Sequence, residues 1–302
     1  MKVSWFKYVK PYLKWFILGP LCMIIEIIGE VFMPKFMIGI IDNGVANGDA
    51  LYVIGVSAMM VALAFIMMAG GIGGAYFGAK ASVSFACDLR GDVYKKVSGF
   101  SFKNVDKFSA GSLVTRLTND ITQLQNFINM LLRMCLRVPG MLIGAIIMAI
   151  SIKPRLSLIL LITIPLLAIV QTVIIKKGFP RFVTMQNKID ALNNKVQENL
   201  TNVRVVKSFV REDFENERFE KSNADLKEAG LSALNLMIII MPVMMLIMNL
   251  TSVAVVWFGG NMVILGDMTV GELTAFITYI GQILMSLMMV TMLFTSSARA
   301  IA

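Results

Sequence analysis

Six long apolar runs dominate this sequence. A run of about 20 apolar residues is long enough to cross the hydrocarbon core of a bilayer as an α-helix. Backbone polar groups must be satisfied within the segment in lipid, so the sequence predicts an all-α membrane protein. A soluble domain is excluded, because 57% of the residues are hydrophobic. The predicted spans are about 15–41, 52–79, 134–152, 156–177, 236–258 and 271–293.

The links between the spans alternate between short and long. Three short links fall at 42–51, 153–155 and 259–270, whereas two long polar arms, 80–133 and 176–235, are patterned as helices. The net charge is +9, and Lys and Arg cluster in the arms and before the first span. The positive-inside rule therefore predicts a multi-pass protein with both termini and both arms in the cytoplasm.

The segment before the first span, residues 1–14, interleaves aromatic and basic residues. It has neither the short apolar core nor the small-residue cleavage site of a signal peptide. We predict an interfacial elbow helix here, with its aromatic rings at the level of the lipid headgroups and its lysines toward anionic lipid.

Each arm carries apolar residues at helical spacing, which predicts that its two helices pack together outside the membrane. In the first arm these residues are Leu113, Leu117, Ile121, Leu124, Ile128 and Leu131; in the second they are Ile189, Leu192, Val196, Val203, Val206 and Val210. Helices of about 28 residues would carry the tip of the second arm about 40 Å from the bilayer. There, charged residues crowd around Phe209, Phe214 and Phe219. Such a tip is suited to contact with a partner rather than to chemistry.

Three stretches carry recognisable sequence patterns. Residues 108–121 contain G-x-L-x-x-R-L-x-N-D, and residues 198–212 with Phe219 form the tip of the second arm. A third pattern, G-x-x-x-x-G-x-L-x-A-F-x-x-Y, is matched before the last span by Gly266, Gly271, Leu273, Ala275, Phe276 and Tyr279. In these three stretches the chain resembles the transmembrane domain of bacterial ABC exporters, the multidrug and lipid type of six-span half-transporter, and the second stretch is similar to the region around that family's second coupling helix.

The resemblance implies a fold of six long transmembrane helices extending into the cytoplasm, an N-terminal elbow helix and two cytoplasmic coupling helices. It implies that the first coupling helix is Asn104, Val105, Asp106, Lys107 and Phe108, and that the second is Phe209, Val210, Arg211, Glu212, Asp213 and Phe214. The partners it implies are nucleotide-binding domains that hold ATP and Mg²⁺, and a second half-transporter in a homodimer or heterodimer. The location it implies is the bacterial inner membrane.

The expected function is the permease part of an ATP-driven exporter, which moves hydrophobic or amphipathic drugs or lipids out of the cytoplasm or inner leaflet by alternating access. The full chain it resembles would be an ATP-hydrolysing translocase, but we expect no catalytic residue, cofactor or enzyme activity in this segment. The nearest match to a phosphate loop, at 266–273, has the glycine spacing but carries Glu272 and Leu273 where Lys and Ser or Thr are required. We therefore expect an ATP-binding domain after residue 302 or on a separate polypeptide.

The candidate substrate cavity centres on two carboxylates in the first span, Glu26 and Glu30. A charge at the bilayer centre costs at least about 2.5 kcal/mol, so both should face protein or water. They could form a cation-attracting wall, or a structural pair with Lys35, Arg133 or Arg137. Soft, adaptable thioethers add the candidates Met241, Met245, Met285 and Met289, although filling of packing positions is the simpler explanation for these. Small-residue stripes at Gly70, Gly74 and Gly78 and at Gly140 and Gly144 predict close helix packing. With no His and only three Cys, we expect no transition-metal site and no disulfide framework.

Two other classes remain open from the residues alone. An ion-coupled secondary transporter would use Glu26 or Glu30 to carry protons, but it predicts short loops and inverted repeats rather than long arms. A membrane scaffold or receptor would explain the arms but not six spans with interior carboxylates.

Overall fold

The structure, a computed structural model, describes residues 6–100 and 110–301, with side chains except at 110, 237 and 291–301. These residues form α-helices joined by short turns. The helices are α1 (Phe6–Val9), α2 (Leu13–Gly39), α3 (Ala50–Ser98), α4 (Ala110–Thr115), α5 (Ile121–Met134), α6 (Arg137–Ile152), α7 (Pro154–Thr201), α8 (Val203–Ser208), α9 (Glu212–Ile264) and α10 (Val270–Ile301). A 3-10 turn, Lys10–Tyr12, precedes α2, and π-helical turns occupy Ile40–Val45 and Arg116–Asp120.

The predicted all-α membrane fold is confirmed. Six helical stretches in the described residues are long and apolar enough to cross a membrane. The three longest single helices run far beyond the 20 or so residues that a bilayer requires, with 49 residues in α3, 48 in α7 and 53 in α9. Their polar ends form the two arms. We call the side of the membrane with the arms the arm side, and the side with the three short links the link side.

The chain divides into two compact units, Met1–Leu158 with Ala254–Ala302, and Ile159–Val253. In the first unit, α2 and α3 pack through the predicted glycine stripe. A Cβ added at Gly70 would lie 2.9 Å from the carbonyl oxygen of Cys22, and one added at Gly19 would lie 3.4 Å from the backbone nitrogen of Gly78. The backbones thus approach closely at both glycines, and at Gly70 a Cβ would clash with the neighbouring backbone, as in other small-residue helix contacts.

Helix α6 packs on α2 in the same way, at Gly140 and Gly144. A Cβ at Gly144 would lie 2.9 Å from Val31, and one at Gly140 would lie 3.3 Å from Ile27. From the first contact to the second, both helices move forward four residues, from Gly140 to Gly144 on α6 and from Ile27 to Val31 on α2. The two helices therefore run parallel. The predicted packing role of both glycine stripes is confirmed.

Helix α10 supplies the largest buried side chains of this unit. Phe276, Tyr279, Ile283 and Leu284 are at most 1% exposed. The Tyr279 hydroxyl donates a hydrogen bond of 2.8 Å to the backbone carbonyl of Val31. This bond satisfies the polar end of an otherwise apolar ring, as burial of a tyrosine requires.

The first arm packs along its predicted apolar seam. Ile121 is 4% exposed and forms a buried cluster with Phe85, Ala86 and Leu89 of α3. Three further seam residues, Leu117, Leu124 and Ile128, pack against that cluster. The Arg90 guanidinium donates to the carbonyl of Leu117, within the π-helical turn, at 3.1 Å. The bond satisfies a carbonyl at the point where the regular helical pattern is interrupted.

The predicted bounds of the second coupling helix are wrong. The expected helix covered Phe209–Phe214, but α8 ends at Ser208, and α9 begins at Glu212. Residues 209–211 form the turn between them, because the chain adopts a left-handed conformation at Val210, with φ of 52°. A left-handed residue cannot continue a right-handed helix.

Candidate functional site

The tip of the second arm is a tight turn that closes α8 in the Schellman geometry. The Val210 amide donates to the Lys207 carbonyl at 3.3 Å, and the Arg211 amide donates to the Val206 carbonyl at 3.0 Å. This pair of bonds satisfies carbonyls at the end of α8 and requires a left-handed residue between them, usually glycine.

The same geometry closes two other helical segments of this chain, and there the left-handed residue is glycine. Gly48 has φ of 68°, and Gly266 has φ of 78°. Their amides donate to the carbonyls of Val45 and Val263 at 3.2 and 3.0 Å. Only at the arm tip does a β-branched residue take this position among the described residues. The left-handed conformation costs Val210 about 1–2 kcal/mol.

The side chains of the tip are apolar and exposed to water. Val210 is 81% exposed, Phe209 72% and Phe214 52%. Burial of each such side chain against a partner would contribute about 1.5–3 kcal/mol. Exposed apolar side chains grouped in sequence like this, with charged residues around them, are typical of interaction surfaces. We call Phe209, Val210 and Phe214 the apolar tip.

Charged side chains hold the shape of the apolar tip. Lys207 and Glu212 pair across the turn at 3.6 Å. The guanidinium carbons of Arg211 and Arg218 lie 6.0 and 5.9 Å from the ring centroid of Phe214, within range of a cation–π interaction. Three acidic residues in the first turn of α9, Glu212, Asp213 and Glu215, complement the positive end of its dipole.

Below the tip, α7 and α9 are joined by a ladder of polar bonds in constant register. Basic residues seven positions apart on α7 bond to positions seven apart on α9. The bonds run from Arg181 to the Ser232 carbonyl (3.2 Å), from Lys188 to the Asp225 carboxylate (2.6 Å) and from Lys195 to the Arg218 carbonyl (3.5 Å). A step of seven returns to the same helix face, so the two helices run antiparallel without a slip over 14 residues. These bonds therefore align α7 and α9 in one register below the tip.

The middle bond of this ladder, between Lys188 and Asp225, also shifts the pKa of the carboxyl group. Hydrogen bonding to the Lys188 ammonium holds the pKa of the Asp225 carboxyl below its usual value. The next rung is reinforced because Lys195 also donates to the Ser222 hydroxyl at 2.5 Å. At the tip end, Arg218 pairs with Glu215 of α9 at 2.9 Å and with Glu198 of α7 at 3.8 Å.

The first predicted coupling segment, Asn104–Phe108, lies outside the described residues. On the second, Arg211, Glu212 and Asp213 flank the apolar tip.

In the membrane, Arg137 of α6 joins both candidate carboxylates of α2. Its guanidinium nitrogens lie 2.8 Å from Glu26 Oε1 and 3.3 Å from Glu30 Oε2. In the part of the chain that the structure describes, neither Lys35 nor Arg133 forms an ion pair with them. One cation between two carboxylates leaves this cluster with an excess negative charge when all three groups are ionised.

One edge of that cluster is polar but unsatisfied. Glu26 Oε2 and Gln282 Oε1 are buried and have no hydrogen-bond partner among the described residues. The amide nitrogen of Gln282 donates to the Glu30 carbonyl at 3.1 Å, which ties α10 to α2 at this level. The structure thus brings Glu26 and Glu30 together with Arg137. The other cavity candidates, Met241, Met245, Met285 and Met289, are 39–64% exposed on the single chain.

The family of ABC transporter transmembrane regions matches residues 16–287. The chain belongs to this family. An uncharacterized ABC transporter ATP-binding protein of Mycobacterium tuberculosis is 34% identical over 294 residues, which are 97% of this chain and 50% of that protein. A similarly named Bacillus subtilis protein is 34% identical over 293 residues, 97% of this chain and 51% of its own. A Mycobacterium bovis fatty acid ABC transporter ATP-binding/permease protein is 35% identical over 199 residues, 66% of this chain and 32% of its own.

The chain spans about half the length of the first two relatives. As an ABC transporter transmembrane region, it carries one feature that motif reading missed, the polar ladder of the second arm. The signal was present in the sequence as basic residues at 181, 188 and 195. Apolar spacing alone does not reveal this pattern, because its members are basic.

Proposed function

We propose that this chain is the membrane-spanning permease part of an ATP-driven exporter that moves hydrophobic or amphipathic compounds out of the cytoplasm or inner leaflet by alternating access. Its arm side then faces the cytoplasm. The main support is that two relatives are named as ABC transporter ATP-binding proteins, and this chain aligns with about half the length of each. The other half of such a protein is where ATP and Mg²⁺ would bind.

The apolar tip gives the proposal its mechanism. A rigid stalk with an exposed apolar end is suited to receive a push from a nucleotide-binding domain and to pass it along α7 and α9 into the membrane. The heptad register of the ladder supports this, because a stalk whose two helices cannot slip past each other transmits displacement rather than absorbing it.

The membrane cluster bears on the substrate. Two such half-transporters, identical or paralogous, would enclose a cavity, and the excess negative charge at Glu26 and Glu30 would favour an amphipathic compound that carries a positive group. The fatty acid transporter among the relatives supports a lipid-like substrate. Substrate then moves because the inward-facing and outward-facing states bind it with different affinity.

The test is ATP-driven transport by the full-length protein in liposomes, with Phe209→Ala at the apolar tip. The matched control is Phe179→Ala, since Phe179 is 67% exposed on α7 but lies away from the tip. We expect Phe209→Ala to lower transport and substrate-stimulated ATP hydrolysis at least tenfold, because loss of about 1.4 kcal/mol of contact reduces docking by that factor. Phe179→Ala should leave both within twofold.

If Phe209→Ala and Phe179→Ala had the same effect on transport and ATP hydrolysis, the apolar tip would have no specific role in coupling. Transport driven by a proton gradient, without ATP hydrolysis by the protein or a co-purifying ATPase, would overturn the exporter proposal and favour a secondary transporter.

A further inference from the structure

A cluster of aromatic rings and lysines lies where α2 and α3 leave the membrane on the arm side. Trp15 of α2 stacks on Phe77 of α3, with ring centroids 5.3 Å apart and planes inclined by 17°. Tyr76 meets the Phe77 ring edge to face at 5.5 Å. These rings come together because the glycine contact between Gly19 and Gly78 brings the two backbones close one turn away.

Two lysine ammonium groups, one from each helix, lie over the same Trp15 ring. Lys14 Nζ is 4.6 Å and Lys80 Nζ 4.5 Å from its centroid. Because both distances are measured to the Trp15 ring centroid, the two Nζ atoms are at most about 9 Å apart. Lys80 also lies 5.6 Å from the Tyr76 centroid. The aromatic faces attract each cation, but they do not neutralise it.

Neither lysine has an acidic partner in the ion pairs of the described residues. Lys7, by contrast, does have an acidic partner, because its ammonium lies 2.6 Å from the Asp92 carboxylate. Both lysines are exposed, and an anionic group bound beside the Trp15 ring would be attracted by both ammonium groups. A phosphate group has the charge and the acceptor oxygens for this role.

We propose that Lys14, Lys80 and Trp15 bind the phosphate of one anionic phospholipid in the arm-side leaflet. The rings lie at the boundary of the apolar segments, where tryptophan and tyrosine mark headgroup level. An acyl chain could then follow the exposed apolar face of α2, where Ile17 and Leu18 are 51% and 38% exposed. The choice of leaflet rests on the orientation proposed above, in which the arm side is cytoplasmic and its leaflet anionic.

The consequence of occupancy is a bridge between the first two spans. A lipid phosphate held by both Lys14 and Lys80 would tie the start of α2 to the point where α3 leaves the membrane. The site is separate from the apolar tip and from Glu26, Glu30 and Arg137, so its loss should not abolish transport.

The test measures lipid binding to the full-length protein in neutral detergent. The probe is short-chain phosphatidylglycerol, titrated against phosphatidylcholine of the same chain length, with bound lipid counted by native mass spectrometry. One phosphatidylglycerol per chain should bind in preference. The double variant Lys14→Gln with Lys80→Gln should weaken that binding about 30-fold, because each lysine near an anionic headgroup contributes about one factor of five.

The matched control is Lys176→Gln with Lys177→Gln, which removes the same charge from an exposed pair at another membrane boundary. It should change binding by less than twofold. A Lys14→Arg, Lys80→Arg variant should retain the lipid, and this result separates loss of charge from loss of fold. Trp15→Leu should weaken binding a few-fold.

Three outcomes would overturn the proposal. The first is unchanged binding in the double Gln variant, and the second is equal loss in the control pair, which would indicate general surface attraction. The third is full competition by glycerol phosphate at the concentration of the lipid, which would indicate a soluble phosphate ligand. Because the readout is lipid binding, it remains interpretable if ATP-driven export itself is refuted.

Discussion

Replacement of Arg137 by methionine tests how the membrane carboxylates are held. Methionine keeps much of the arginine volume but leaves Glu26 and Glu30 without their cation. Removal of one partner from a buried ion pair costs about 3–5 kcal/mol, because the remaining charge stays uncompensated. The side chains here are 33% exposed for Arg137, 16% for Glu26 and 30% for Glu30. Screening by solvent reduces the expected cost to about 2–3 kcal/mol.

That cost corresponds to a fall of about 4–8 °C in the unfolding midpoint for a chain of this size. The assay is reaction of a thiol-specific dye with Cys22, which lies in α2 one turn before Glu26 and is partly buried against α3. It requires a full-length protein in which the other cysteines are serine. Arg133→Met, four residues earlier at the end of α5, serves as the control, since Arg133 is exposed and forms no ion pair among the described residues.

A compensating variant shows whether uncompensated negative charge is what destabilises Arg137→Met. In the Arg137→Met background, Glu26→Gln with Glu30→Gln removes the uncompensated charges and should restore at least half of the lost stability. The reasoning fails if Arg137→Met is as stable as Arg133→Met, or if the triple variant is no more stable than Arg137→Met. If the triple variant is stable but transports a cationic substrate poorly, the carboxylates also attract substrate. Full transport would leave them a structural role only.

Three further predictions follow from the turns and the ladder. Val210→Gly should relieve about 1–2 kcal/mol of left-handed strain, less about 0.5–1 kcal/mol for the flexibility of glycine, so amide exchange in that turn should slow. Asp42→Ala should speed amide exchange at Gly271 about fivefold, because the Asp42 carboxylate accepts that amide at 2.9 Å and caps α10 for about 1 kcal/mol. The pKa of Asp225 is lowered by Lys188, so the pair stabilises the fold above about pH 4 and loses this effect as pH falls through the lowered pKa. The unfolding midpoint of Asp225→Asn should therefore fall less steeply below pH 4 than that of the parent protein.

The six helices were predictable because a membrane span is specified locally, by the length of an apolar run. The first arm was predictable for a similar reason. Its seam residues Leu117, Ile121, Leu124 and Ile128 recur at helical spacing, and all of them pack on the cluster around Phe85.

The second arm shows where this reasoning stops. Val196 and Val203 were predicted on the seam, but they are 38% and 41% exposed. The helices of that arm are joined in register by polar bonds, and a lysine at helical spacing usually indicates a solvated face. Only the placement of α9 opposite α7 distinguishes a ladder lysine from a solvated one.

The partner of Glu26 and Glu30 depended equally on three-dimensional packing. Three cations were candidates from sequence, and the choice of Arg137 follows from the contacts of Gly140 with Ile27 and Gly144 with Val31. Those two contacts fix the register of α6 on α2, and the long side chain of Arg137, three residues before Gly140, then reaches Glu26, one residue before Ile27. The predicted spans alone do not specify how α6 aligns with α2, so they could not decide among Lys35, Arg133 and Arg137.

The left-handed turns separate what the fold needs from what the proposed function needs. Gly48 and Gly266 show that this chain uses glycine where a helical segment ends in the Schellman geometry. At Val210 the same geometry is retained, although the side chain costs stability and is 81% exposed to water. Neither the turn nor the packing of the described residues gains from that valine. A side chain that is unfavourable both in its backbone conformation and in its exposure is best explained by contact with a partner, and its place at the end of a rigid stalk is where a nucleotide-binding domain would make that contact.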